Sequence, residues 1–307
     1  MSRIDDLLES YEKYIKKHRR FEFIDCAIFT TLGQYEYFDN EVGLYTNPPA
    51  RDFATDIVYI SRDRRAILFV EETLDPSEKK LQLKKYAHLS SKTALLIMKT
   101  NAVPAVDVML VVPDEKRAAA LALYEEVVKE EGGLGRNRGI SIWSYGKGEK
   151  VLKLRGGTLS PEFPRDVKEL PSRGVGAIEI LKEPHPLYLL QFIIIKALAS
   201  EYGLALEGIE ISKEKLGRLL TPYGIVREGL WREALRIGQD IGLITNFSSD
   251  QLTGTLNYTK PFPSSITKLG PKLAYPFAIV EEEDEIDKGQ ARLASFDAVF
   301  EETEDID

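Results

Sequence analysis

The chain has 307 residues, 43% hydrophobic and 29% charged, with one Cys, three Met and three His. That length supports two domains with separate cores. The single Cys26 excludes an internal disulfide and points to a reducing cytoplasm, and three His leave little for a transition-metal site. The net charge of −8 argues against a nucleic-acid partner only until it is divided: residues 281 to 307 carry −10, so residues 1 to 280 carry +2. The body is mildly basic and the tail strongly acidic, a composition typical of a solubilising segment or of a competitor for a basic DNA groove. The charged start from Arg3 onward predicts no secretory signal, and the longest apolar run, Leu187 to Ala199, is interrupted by Gln191 and Lys196, so no membrane span is expected.

Residues 2 to 18 place Ile4, Leu7, Leu8, Tyr11 and Ile15 on one stripe, which predicts an amphipathic helix. Its basic end, Lys16 to Arg20, suits either the helix C-terminus or a phosphate contact. Phe21 to Thr31 (FEFIDCAIFTT) reads as a first strand and Gly33 to Tyr45 as a hairpin arm; Asn47-Pro48-Pro49 is a loop.

The stretch from Phe53 to Leu89 is the most informative. FATDIVYIS, the turn SRDRR and AILFVEETL give strand, hairpin and strand, and DPSEKKLQLKKYAHL gives a helix. Asp75 is its N-cap, Pro76 its first residue, and Glu78 completes a capping box. Side-chain alternation puts Glu71 and Thr73 on one face of their strand and Glu72 on the other. Asp56 stands on the preceding strand, and Gln82 and Tyr86 share a helix face.

Asp56, Glu71 and the Gln82-Leu83-Lys84-Lys85-Tyr86 run resemble the PD-(D/E)xK, or restriction-endonuclease-like, nuclease superfamily, and within it the RecB-type branch with its Q-L-x-x-Y helix. The resemblance implies an α/β fold, a mixed sheet flanked by helices. It implies that Asp56 and Glu71 hold Mg²⁺ or Mn²⁺, that Gln82 supports the site, and that a Lys positions the attacking water. Hard oxygen ligands suit those ions, and such a metal activates water and neutralises charge on the scissile phosphate. The sequence departs from the pattern at the Lys, where Thr73 stands two residues after Glu71. Three readings stay open: a Lys supplied by the helix (Lys79, Lys80 or Lys84, of which Lys84 is chosen here), substitution by Glu72, or an inactive site.

Thr93 to Met98 and Val106 to Val112 read as further strand material, Glu115 to Glu131 as a helix closed by two glycines, and Ile140 to Tyr145 as a half-buried strand. The first domain is therefore placed at 1–154. Residues 155–186, rich in Pro and Gly, read as a linker. In 187–262, an apolar helix, a short helix from Lys213 to Leu220 capped by Ser212, the turn Thr221 to Gly224, a long helix from Val226 to Ile241 and a strand-like TGTLNYT resemble a winged helix-turn-helix. In the long helix Val226, Leu230, Ala234, Ile237 and Ile241 form the expected core stripe. Arg232, Arg236 and Gln239 lie opposite, where a recognition helix meets DNA; a protein-binding face has the same look.

The segment 263–307 contains Gln290-Ala-Arg-Leu293-Ala-Ser-Phe296, similar to the short motif by which repair enzymes dock on a sliding clamp, although Asp297 replaces that motif's second aromatic; the alternative is a short amphipathic helix folding back on the body through Leu293, Phe296 and Phe300. The expected function is a metal-dependent DNA endonuclease with a C-terminal winged helix; the rival is an inactive nuclease fold kept for DNA binding or assembly.

Overall fold

The computed structural model describes residues 3–45, 51–89, 91–99, 102–135, 137–148, 150–174, 176–197 and 206–258. The proline loop at 47–49 and the clamp-like motif at 290–296 lie outside the described residues. The rest falls into two compact units, Ile15–Lys182 and the described residues of Met1–Tyr14 with Glu183–Asp307. Among the described residues no helix is long and apolar enough to cross a membrane.

The first unit is α/β. In chain order its elements are α1 (Arg3–Thr31), whose first residues belong to the other unit, β1 (Tyr35–Tyr45), β2 (Arg51–Ser61), β3 (Ala66–Glu72), a 3₁₀ turn (Pro76–Lys79), α2 (Lys80–Ala87), α3 (Ser91–Met98), β4 (Ala105–Pro113), α4 (Arg117–Glu130), β5 (Arg138–Tyr145), β6 (Val151–Thr158) and β7 (Glu169–Pro171). The seven strands form one sheet in sequence order. β1, β2 and β3 are antiparallel, β3, β4 and β5 are parallel, and β6 and β7 return antiparallel.

One face of this sheet packs Val58 and Ile60 of β2, Ile67 and Phe69 of β3 and Val108 and Leu110 of β4 in a single core with Leu83 and Tyr86 of α2 and Val127 of α4. The other face receives α1, through the Tyr59 hydroxyl on Asp25 at 2.6 Å and the edge of Phe23 against Tyr145.

Four expectations are corrected by the structure. Phe21 to Thr31 is not a strand but the continuation of α1. Phe21, Ile24 and Ile28 are buried at helical spacing, whereas Phe29, which strand alternation would place with Phe21, is 57% exposed. A short apolar run satisfies either period, and the charged helix leading into it decides which. Thr93 to Met98 is likewise helical, with Ala94 and Met98 buried four residues apart. The stretch 155–186 is no plain linker, because it completes β6 and adds β7, and the sheet unit runs on to Lys182 instead of stopping at 154. β5 is buried on both faces, since neighbouring strands and helices cover it.

The second unit contains α5 (Pro186–Ala197), β8 (Leu206–Ile211), α6 (Lys213–Leu220), α7 (Glu228–Asp240), β9 (Ile244–Ser248) and β10 (Thr253–Tyr258), with a three-stranded antiparallel sheet ordered β8-β10-β9. Ser212 caps α6 by accepting from the Lys215 N–H at 3.3 Å, and Gly224, at φ 75°, makes the turn before α7. The start of the chain joins this unit through the Tyr11 hydroxyl, which donates to Gln191 Oε1 at 2.6 Å.

The core stripe of α7 is shifted from expectation: Ala234, Ile237 and Ile241 are buried, but Val226 is 61% exposed and Leu230 only half-buried. Trp231 and Leu235 take their places, the indole N–H of Trp231 donating to the Ile225 carbonyl at 3.1 Å. Gly238 permits the close packing of α7, since a Cβ there would meet Ile244 Cδ1 at 2.6 Å and Leu190 Cδ1 at 3.1 Å.

Candidate functional site

The pairing of β2 with β3 ends at Ile57 opposite Val70, one residue short of Asp56 and Glu71. Beyond that point side chains replace the ladder. Asp56 Oδ2 accepts the Glu72 N–H at 2.8 Å, and Thr55 Oγ1 donates to the Val70 carbonyl at 3.4 Å. On its other side β3 stays paired with β4 through Glu72 and Val111. The splayed end of β3 thus leaves room for the Asp56 and Glu71 carboxylates on the face that α2 covers.

Glu71 is fully buried. Its Oε1 accepts from the Tyr86 hydroxyl, and its Oε2 accepts from Lys79 Nζ at 2.6 Å. The same ammonium donates to Asp56 Oδ2 at 3.2 Å. The two carboxylate oxygens therefore lie no farther apart than those two distances laid end to end. Burial, aided by the Asp56 charge, pushes the Glu71 carboxyl up to about 7, against the pull of Lys79 and Tyr86. For Lys79 burial acts downward, but the Glu71 and Asp56 carboxylates outweigh it and hold the ammonium above its ordinary value. Burial and the Glu71 charge raise the Tyr86 phenol well above its ordinary value. A buried ion pair with a second acid beside it is the kind of environment that tunes proton affinity.

Glu72 faces the opposite side of the sheet, where Arg20 Nε of α1 donates to Oε1 at 2.5 Å and Nη2 to Oε2 at 3.4 Å. It therefore does not stand in for a lysine beside Glu71. Arg20, read as a helix end or a phosphate contact, is committed to this pair. Thr73 serves the turn into α2: its hydroxyl donates to the Asp75 carbonyl at 2.9 Å and accepts the Asp75 N–H at 3.0 Å. Asp75 caps as expected, although Ser77 completes the cap by giving it its N–H at 3.1 Å and its hydroxyl at 2.9 Å.

The helix residues divide. Gln82 Nε2 donates to the Ala54 carbonyl at 2.7 Å, bracing β2 two residues before Asp56 without touching either carboxylate. Lys84 does not reach the pair. Its ammonium lies 2.5 Å from Glu130 Oε2 on α4, and Lys80 bonds Glu126 and Glu130 at 2.6 and 3.3 Å, so both tie α2 to α4. Lys79 supplies the cation instead. Helical phase contained this signal: Lys79 precedes Tyr86 by seven residues, two turns along one face, while Lys84 precedes it by two and points away.

Two carboxylates, a lysine and a tyrosine can hold one hard divalent cation or share protons. Among the described residues no group of three or more His, Cys, Asp or Glu is arranged to hold a metal. Two carboxylates still fit Mg²⁺ or Mn²⁺, which keep several waters and commonly bind through one or two protein carboxylates plus substrate phosphates.

In the second unit, Arg232 Nε donates to the Ser249 carbonyl at 3.0 Å, bracing the β9–β10 turn, while Arg236 and Gln239 are exposed. No family model, curated protein or solved structure matches this chain.

Proposed function

We propose that the first unit is a metal-dependent phosphodiester hydrolase acting on DNA. The observation that carries this reading is the Lys79 ammonium held between Asp56 and Glu71 at the carboxyl end of β3. The order of helix, three antiparallel strands, helix and parallel strand supports a restriction-endonuclease-like fold, with Lys79 in place of the lysine missing at Thr73. Asp56 and Glu71 would hold Mg²⁺ or Mn²⁺, which when bound polarises the phosphodiester and activates a water. Lys79 keeps the two like charges together before substrate arrives and afterwards donates to the attacked phosphate or orients the water. Tyr86 fixes the Glu71 rotamer, and Gln82 fixes the backbone that carries Asp56.

The second unit is proposed as a winged helix. Its support is the order of α5, β8, α6, α7, β9 and β10, the β8-β10-β9 sheet, and the Gly224 turn between α6 and α7. Arg236 and Gln239 would face DNA, whereas Arg232 acts mainly as a brace. One observation favours the rival, non-catalytic reading: residues 206 to 258 hold seven Asp or Glu and six Lys or Arg, a balance that suits a protein partner as well as DNA.

Incubating the protein with plasmid and with labelled single-stranded, duplex and branched DNA tests the hydrolase. Nicking should require Mg²⁺ or Mn²⁺, stop in chelator, and disappear in Asp56→Asn with DNA binding retained. Binding without cleavage of any substrate in either metal would leave the assembly module standing.

A further inference from the structure

The sheet brings a set of cations to the same edge as Asp56 and Glu71. β3, β4 and β5 are parallel, so their carboxyl ends lie side by side, and the register continues through Pro113 opposite Tyr145, Tyr145 opposite Leu152 and Val151 opposite Pro171. The chain leaves β4 into Lys116 and Arg117, turns from β5 to β6 through Lys147 and Lys150, and leaves β7 at Arg173. All five side chains are exposed, and none makes an ion pair among the described residues. Of the acids beside them, Asp114 is paired with Arg155 at 2.7 Å and accepts from Ser144, while Asp75 accepts only from the neutral Ser77 and keeps its charge near Lys116. Among the described residues Asp75, Glu78 and Glu115 are exposed acids of this edge, so the five cations face three unpaired carboxylates.

We propose that Lys116, Arg117, Lys147, Lys150 and Arg173 form a track along the carboxyl edge of the sheet for the phosphate backbone of a nucleic acid, leading to Asp56 and Glu71. The inference rests on reading that pair as a phosphodiester site, and it adds the direction from which the strand approaches. Crevices outside the carboxyl ends of parallel strands are where open α/β sheets bind ligands. Four strand spacings of about 4.8 Å separate β3 from β7. That length accepts several phosphates of one duplex strand at roughly 3.4 Å of rise each. The contacts are to phosphate, so the track binds without reading sequence.

The test compares two variants that remove the same number of charges. One carries Lys116→Gln, Arg117→Gln, Lys147→Gln and Lys150→Gln. The other carries Arg62→Gln, Arg64→Gln, Arg65→Gln and Lys129→Gln at the opposite edge, and circular dichroism melts confirm that both fold. Binding of a short labelled duplex is followed by anisotropy in EDTA over roughly 50 to 300 mM KCl. The slope of log K against log salt should fall by about three to four in the first variant and by less than about one in the second. An equal or larger fall in the second variant, or a wild type whose binding is insensitive to salt, overturns the track. Cleavage is scored separately in Mg²⁺. A wild type that cuts while its slope follows the opposite edge sinks the track and keeps the hydrolase; the expected slopes without any cutting keep the track and sink the hydrolase.

Discussion

Two kinds of buried acid stand in the first unit, and their partners differ. Asp107 in β4 accepts the Ser160 N–H at 2.8 Å and the Ser160 hydroxyl. Asp25 in α1 accepts the Tyr59 hydroxyl at 2.6 Å and the Ala177 N–H. Every one of these donors is neutral, and each pair pins part of the 158–178 stretch to the body of the unit. Glu71 shares a lysine with a second carboxylate. Burial raises all three acids, so a perturbed acid by itself does not mark a site. What sets Glu71 apart is the neighbouring like charge and the lysine shared with it, and in the proposed function a bound metal would take up the charge that the ammonium now balances.

The largest test removes the cation. Lys79→Met leaves Asp56 and Glu71 facing each other, and breaking a largely buried pair in this way should cost about 3 kcal/mol at pH 8 by urea titration. The loss should shrink near pH 5, where Glu71 takes up a proton. Millimolar Mg²⁺ or Mn²⁺ should then restore part of the stability by binding only the folded pair. A variant as stable as wild type, or one blind to both metals, would erase the distinction from Asp25 and Asp107.

Glu71 sharpens the same contrast through pH. Its folded value of about 7 lies above the ordinary 4.5, so between those values the native state binds more protons than the unfolded chain. Its contribution is fully present below pH 4.5 and is lost as pH rises through 7, by roughly 3 kcal/mol over the whole span. Glu71→Gln should flatten this fall in a stability profile taken from pH 4.5 to 8. A profile unchanged by the substitution would place the titrating proton elsewhere. Asp107→Ala, in contrast, strands the Ser160 N–H and should cost about 2 kcal/mol. Mg²⁺ should not recover it, and a metal-dependent recovery would mean that the two kinds of acid are not distinct.

Much of this geometry is legible from residues alone. Alternation along AILFVEE separates Glu71 from Glu72, and Asp75 and Pro76 mark the entry to α2. What stays hidden depends on long-range pairing. Nothing local says that Glu72 meets Arg20, 52 residues earlier, or that Phe21 to Thr31 continues a helix instead of starting a sheet. β6 and β7 are concealed for a different reason: Gly156 and Gly157 interrupt the β pattern, yet Gly157, at φ 106°, is where a Cβ would meet the Ile140 carbonyl oxygen at 2.3 Å. The glycines that resemble a linker are what allow β6 to lie against β5.

The smallest expected effect concerns Lys84, the lysine that the Gln82-to-Tyr86 pattern brings forward. Its side chain is 30% exposed and its partner Glu130 38% exposed, and Glu130 also accepts from Lys80 at 3.3 Å. Water screens such a pair, and the shared acceptor keeps one cation when the other is lost. Lys84→Met should therefore cost no more than about 0.5 kcal/mol, where Lys79→Met five residues away costs several times as much. It should also leave any Mg²⁺-dependent nicking at the wild-type rate, because Lys84 leaves α2 on the side away from Asp56. The informative failure is kinetic. A Lys84→Met protein that keeps its stability but loses nicking would mean that Lys84 swings to the carboxylates when DNA is bound, and the lysine between Asp56 and Glu71 would then be a structural cation.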